Sequence, residues 1–259
     1  MDDLPNELDG RELERSIRGT YRTLLTASAA EIPFETGRQF AERLGYPPAD
    51  LDRVPAGSVE TFSGVGYHHD LAGITPGDHV LELASGSGTD AFVAARRTGP
   101  TGRVTGIDMT DAQLTRARRL GERNGFDTVS FERGYIEELP FENDSMDSVL
   151  ANGAITLSAR KEFVFREARR VLTPYGRLTA SDIVSEEALP DHVRADPDRW
   201  VSYTGGAAQE TAYVDAIEDA GLEVIVLDEN PSYEFRTERA RKLCREYGLK
   251  SVSFTARKR

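Results

Sequence analysis

Between Glu82 and Asp90 the chain reads Glu-Leu-Ala-Ser-Gly-Ser-Gly-Thr-Asp, an acid followed by two closely spaced glycines and a second acid. Gly86 and Gly88 are the residue type that a ligand-cradling turn requires. A side chain at either would hold a ligand off the backbone or forbid a turn with φ > 0. Further on, Asp108 closes the run Arg103-Val104-Thr105-Gly106-Ile107. An aspartate at such a strand end can accept hydrogen bonds from both ribose hydroxyls of a bound adenosine. Gly66-Tyr67-His68-His69 places two imidazoles ahead of the glycine loop. His68 is the candidate general base, because an imidazole titrates near neutrality. No third ligand stands at a recognisable spacing from the histidine pair, so no metal is expected. The single cysteine, Cys244, excludes an intramolecular disulfide and a cysteine-based zinc site. It falls in a helical run, residues 239–247, and is expected to pack.

These residues need elements to hold them. Val80-Leu81-Glu82-Leu83 is an apolar run that breaks into the glycines, and Ala91 to Ala95 resume as an apolar helix. That order of strand, tight turn and helix N-terminus builds the nucleotide sites of doubly wound α/β domains. The Asp108 run reads as a second strand. Thr110 with Gln113 then predicts a capping box, and Leu114, Ala117 and Leu120 recur at helical spacing until Asn124-Gly125. Further strands are predicted at 129–131, 145–151, 177–184, 222–228 and 251–256, with helices at 211–220 and 237–247. The fold class is therefore α/β: a doubly wound sheet of seven strands. Its ligand-facing strand ends fall near Glu82, Asp108, Ile136 and Asn152. Leu13, Ile17, Tyr21, Leu24 and Leu25 form one helical stripe and Phe40, Ala41 and Leu44 another. This predicts a helical cap over residues 1–60, a core over 61–259, and an insertion on the substrate side at about 186–212.

The net charge of −12 argues against nucleic acid as a partner, since phosphate contacts require a basic surface. No run approaches the roughly 20 apolar residues of a membrane span. The beginning, Met-Asp-Asp-Leu-Pro, lacks the regions of a signal peptide, so a cytoplasmic location is expected. Arginine far outnumbers lysine and acids outnumber bases, which suggests a salt-adapted or GC-rich source. The sequence leaves the oligomeric state open.

Taken in order, Glu-Leu-Ala-Ser-Gly-Ser-Gly, Gly-Ile-Asp-Met-Thr, Glu-Glu-Leu-Pro-Phe before Ser-Met-Asp-Ser-Val, and Leu172-Thr173-Pro174-Tyr175-Gly176 resemble the class I S-adenosylmethionine (SAM) methyltransferases. A nicotinamide site would predict neither the Leu-Pro-Phe segment nor the Leu-x-Pro-x-Gly turn. The resemblance implies a mostly parallel sheet ending in an antiparallel hairpin, SAM as cofactor and methyl transfer to a small-molecule acceptor. It places Ala84, Ser85, Gly86 and Gly88 around the methionine part of the cofactor, with Glu82 toward its amino group. Asp108 would hold the ribose, Met109 the adenine face, and Ile136 and Glu137 the adenine edge. Asn152 would stand beside the transferring methyl, and Tyr21 would close over the cofactor. The acceptor would lie among Tyr67, Gly153, Tyr203 and Thr204.

Gly-Ile-Asp-Met-Thr-Asp, Ala-Asn-Gly-Ala-Ile-Thr-Leu-Ser, Val-Phe-Arg-Glu-Ala-Arg-Arg-Val-Leu and Gly205-Gly206-Ala207 are similar to the arsenite methyltransferase subgroup. Those proteins bind trivalent arsenic through thiolates, as soft-ligand chemistry demands. Their cysteine positions correspond here to Val65, Gly153 and Tyr203, none of which is cysteine. The expectation is a methyltransferase for a small organic acceptor, not arsenite. The alternative is a SAM-binding sensor or partner subunit without catalysis.

Overall fold

Val80, Leu81 and Leu83 are all buried in the first strand, β1 (His79–Leu83). A strand apolar on both sides must lie between two layers. The computed structural model describes residues 8–26 and 31–259. In it β1 pairs in parallel with β2 (Arg103–Asp108) and with β4 (Met146–Asn152). β3 (Val129–Arg133) extends the sheet beyond β2, and β5 (Leu172–Ser185) lies beyond β4. β8 (Lys250–Lys258) runs antiparallel between β5 and β7 (Leu222–Glu229). The strand order is β3-β2-β1-β4-β5-β8-β7. A two-residue strand, β6 (Ala208–Gln209), pairs with the end of β5 from within the insertion and makes an eighth. Its brevity gives it no periodicity that a sequence could display.

Alternation along the strands distributes the core. Leu81, Leu83, Val149 and Ala151 meet α8 (Lys161–Val171) and α11 (Glu210–Asp219) on one face. Val80, Val104 and Leu150 meet α6 (Thr89–Thr98) and α7 (Asp111–Arg123) on the other. The short helices α2 (Arg38–Arg43), α3 (Pro48–Leu51) and α4 (Ala56–Val59) supply Phe40, Ala41, Leu51 and Val59 to that same second face. α5 (His69–Ala72) joins it through Ala72. The helical stripe at Phe40 is thus part of the layer covering the sheet.

α1 (Gly10–Thr23) belongs elsewhere. Its Leu13 and Ile17 pack with Trp200 and Val201 of α10 (Pro197–Val201) and Val193 of α9 (Asp191–Arg194). Ala240 and Leu243 of α12 (Glu238–Tyr247) complete this third cluster.

The turn after β1 is built on left-handed backbone. Ala84, Gly86 and Gly88 all have positive φ (50°, 52° and 91°). Gly88 caps α6, and a Cβ there would stand 2.6 Å from Phe131 and 2.9 Å from Phe92. Gly88→Ala is expected to destabilise the protein by about 1–3 kcal/mol, from strain and overpacking together. The drop in the urea unfolding midpoint measures it.

Asp182 of β5 is fully buried and accepts hydrogen bonds from Tyr213 Oη (2.7 Å) and the Thr156 amide (3.1 Å). Burial pushes its carboxyl up to about 6, although Tyr213 and Lys161 oppose the rise. The folded state therefore holds more protons than the unfolded chain between about pH 4 and pH 6, and stability falls as pH rises through that window. Asp182→Asn cannot ionise. Between pH 4.5 and 7 the wild type should lose on the order of 2 kcal/mol relative to this variant in urea unfolding. Parallel profiles would remove Asp182 as the source.

Candidate active site

The C-terminal ends of β1, β2 and β4 open on a cavity of about 770 Å³ roofed by α1. That volume lies within the roughly 300–1,000 Å³ of small-ligand sites. Tyr21, Glu82, Ala84, Ser85, Gly86, Asp108, Met109, Ile136, Glu137, Asn152, Gly153 and Tyr203 all line it. The family resemblance had grouped them, and the fold brings them into one wall.

Gly86 sits where the backbone must be bare. An added Cβ would meet only Gln113 Oε1 within 4 Å, at 4.0 Å, so the space above it is open. Gly88 does not line the cavity. Its lack of a side chain serves Phe131 and Phe92 beneath the loop. Asp108 Oδ2 accepts from the Gly86 amide (2.9 Å) and Oδ1 from the Thr110 amide (2.7 Å). Burial raises its pKa against the pull of those two amides.

The predicted capping box does not form. Gln113 instead accepts from Ser87 Oγ (2.6 Å) and donates to the Tyr21 carbonyl (2.8 Å), which ties the glycine loop to α1. In a box the Gln113 side chain would accept from the Thr110 amide, which Asp108 already holds; here its amide group reaches two other partners.

Behind the loop lies a polar cluster that sequence reasoning missed. Asp90, almost fully buried, accepts from Tyr46 Oη, His69 Nε2 (2.9 Å) and Asn152 Nδ2 (3.2 Å). Burial disfavours its charge, yet the His69 and Tyr46 hydrogen bonds hold the carboxyl below its ordinary range. Glu82 is its opposite. Burial and then the Asp90 charge push the Glu82 carboxyl well up, and its Oε2 has no hydrogen-bond partner. Asn152 also accepts from the Val65 amide (2.7 Å) and donates to the Gly66 carbonyl (3.0 Å). Its side chain, beyond any strand-end capping, organises the 63–66 loop.

His68 stands apart from this wall. It is wholly buried, stacked on His69 at 5.0 Å, with Nδ1 3.3 Å from Ser181 Oγ. Burial first, then His69, lowers its pKa to about 3. A ring held neutral outside the cavity wall takes no proton from an acceptor bound there, so the general-base assignment is withdrawn. Tyr67 and Thr204 also fall outside the wall. Tyr67 Oη donates to Asp70 and receives Arg97, while Thr204 Oγ1 bonds the Arg199 carbonyl (3.1 Å).

At the far end of the cavity Tyr21 and Tyr203 join through their hydroxyls, and Tyr203 Oη donates to the Ser63 carbonyl (2.9 Å). Tyr203 holds a left-handed φ of 62°. A Cβ on Gly153 would lie 3.1 Å from Tyr203 and 3.2 Å from Val65, so Val65, Gly153 and Tyr203 converge on one point. Phe34 stacks on Tyr21 at 5.6 Å. Among the described residues, no group of three or more His, Cys, Asp and Glu side chains is placed to hold a metal ion.

The residues present fit SAM. Glu82 offers an unpartnered buried oxygen, Gly86 an open stretch of backbone, and Asp108 a carboxylate at the β2 end. The family profile described as "Methyltransferase domain" matches residues 74–221. The arsenite methyltransferase of Halobacterium salinarum is 36% identical over 202 residues, which are 78% of this chain and 51% of that protein. The chain thus spans about half the length of that relative. The crystal structure of an arsenic(III) SAM methyltransferase from Chlamydomonas reinhardtii superposes with a TM-score of 0.65 at 30% identity, covering 86% of this chain and 74% of the other. Geranyl diphosphate C-methyltransferase from Streptomyces coelicolor, at 16% identity, shares the fold (TM-score 0.67, 94% and 98% covered). A profile match over more than half of the chain, on a sheet with this strand order, assigns the chain to the methyltransferase domain family: it belongs to the class I methyltransferases, whose cofactor is SAM, and is related to the arsenite methyltransferases.

Proposed function

We propose that this protein transfers the methyl group of SAM to a small organic acceptor rather than to arsenite. The observation that carries the reading is the convergence of Val65, Gly153 and Tyr203, with Gly153 and Tyr203 lining the cavity and Val65 buried directly behind Gly153. In the arsenite-binding subgroup these positions would supply thiolates. Here they supply an isopropyl group, a bare backbone and a phenol, none of them a ligand for a soft trivalent ion. The one thiol, Cys244, is bonded to the Leu249 carbonyl (3.0 Å) and does not line the cavity.

SAM supplies an electrophilic methyl on a sulfonium sulfur. The chain's part is to orient, enclose and exclude water. Asp108 fixes the glycine loop through the Gly86 amide and keeps a carboxylate at the β2 end for the ribose. Glu82 would take the amino group and Met109 and Ile136 the adenine, with Glu137, held by Ser158, at its rim; all four line the cavity. Asn152 holds the 63–66 loop against the end of β4, where the acceptor would meet the methyl. Leu8, Leu13, Ile17 and Leu24 give the roof an apolar lining suited to an organic acceptor.

Asp108→Ala is expected to weaken SAM binding by about 1–3 kcal/mol, the scale for stranding hydrogen-bonded partners. Calorimetric titration measures it, and unchanged affinity would remove Asp108 from the site. Arsenite with a thiol reductant is expected to release no S-adenosylhomocysteine above background. Methylated arsenic in the products would refute the acceptor reading and leave the cofactor reading intact.

A further inference from the structure

The acceptor end of the cavity has a hydrogen-bond polarity that its own geometry fixes. The Ser63 carbonyl can only accept, so the Tyr203 hydroxyl proton points to it (2.9 Å). Tyr203 therefore receives the proton of Tyr21 across their shared contact. Asn152 shares its two amide protons among Tyr46, Gly66 and Asp90. The protons at this end are used within the protein, and what faces the cavity is phenolic lone pairs.

The wall is also electronegative. Among the described residues six carboxyl groups line the cavity (Glu14, Glu82, Asp90, Asp108, Glu137 and Glu138) against one guanidinium, Arg160. An anionic acceptor finds no counter-charge at the tyrosine end.

Among the described residues the tyrosine end also lacks a ready base. His68 lies outside the wall, three donors hold the Asp90 carboxyl below its ordinary range, and burial pushes the phenol of Tyr203 up to about 12 and that of Tyr21 well above its ordinary range. A hydroxyl or carbon acid must lose a proton before or during attack. A neutral amine need not.

Resting on the methyl-transfer reading above, we infer that the acceptor is an uncharged amine, bound by donating its N–H to the Tyr21–Tyr203 pair. The nitrogen lone pair forms the new N–C bond. The C–S bond breaks with its pair left on sulfur, giving a neutral thioether, and the positive charge passes to nitrogen. The methylated ammonium keeps its proton until it reaches water. Charge moves within an acidic cavity and no protein group changes protonation.

The test uses probes of one shape on the full chain. Titration with S-adenosylhomocysteine comes first and reports on the cofactor reading separately. On that complex, aniline is expected to bind at least tenfold more tightly than acetophenone or benzoate, which offer no N–H. Tyr203→Phe frees the Tyr21 proton to face the cavity, so the preference for aniline over acetophenone should narrow or reverse. Tyr21→Phe, a second variant, keeps the Tyr203 lone pairs and should retain the preference. With SAM, methyl transfer to aniline should exceed transfer to phenol. Equal binding or no binding of the probes, a preference unmoved by Tyr203→Phe, no transfer to aniline, or phenol reacting as fast would each overturn the assignment.

Discussion

Asp90 keeps a negative charge out of water, and much of the active-site architecture follows from meeting that demand. An unpaired buried carboxylate would cost several kcal/mol. Three donors from separate segments answer it: Tyr46 from the connection after α2, His69 from α5, and Asn152 from the end of β4. Arg97, one turn of helix and more beyond Asp90, donates to the His69 carbonyl (2.9 Å) and so ties α6 to α5. The same Asn152 then fixes the loop at Val65 and Gly66. One charge thus orders the glycine loop, the strand end and the acceptor loop together. The elevated Glu82 carboxyl is the counterpart, since two neighbouring buried acids do not both ionise readily.

The cofactor half was legible in the sequence because its logic is local. An apolar run, two glycines and an apolar helix specify β1, the turn and α6 within one continuous stretch, and Asp108 ends the next strand. The acceptor half was less so. Val65, Gly153 and Tyr203 are far apart in the chain and meet only through the fold. The resemblance named them, but periodicity could not have brought them together. His68 shows the limit of residue type as a guide. Paired histidines after a tyrosine suggested chemistry, but Ser181 and Asp90, both distant in sequence, draw the two rings into the interior. Gln113 shows a different limit. Its spacing from Thr110 satisfied a local rule that a pair of tertiary partners overrode.

Glycines mark the boundary between these two kinds of information. Gly88 and Gly86 both have positive φ, and sequence could not distinguish their duties. One clears room for Phe131 and Phe92 beneath the loop, and the other leaves space above it. The expected separation of residues 1–60 as a cap has a similar history. The amphipathic stripes are real, but the second of them contributes Phe40 and Leu44 to the sheet's own layer, while α1 roofs the cavity.

α1 is held over the cavity chiefly by side chains. Tyr135 Oη donates to Glu14 and receives Arg18, Gln113 meets the Tyr21 carbonyl, and Tyr21 meets Tyr203. None of these bonds belongs to a strand ladder, and each contributes about 1 kcal/mol net. Lifting the helix would break a handful of them and expose Leu13 and Ile17 without disturbing the sheet. The residence time of a bound molecule is then a property of this helix, tunable by surface residues such as Glu14 and Arg18 that touch neither the glycine loop nor the end of β4.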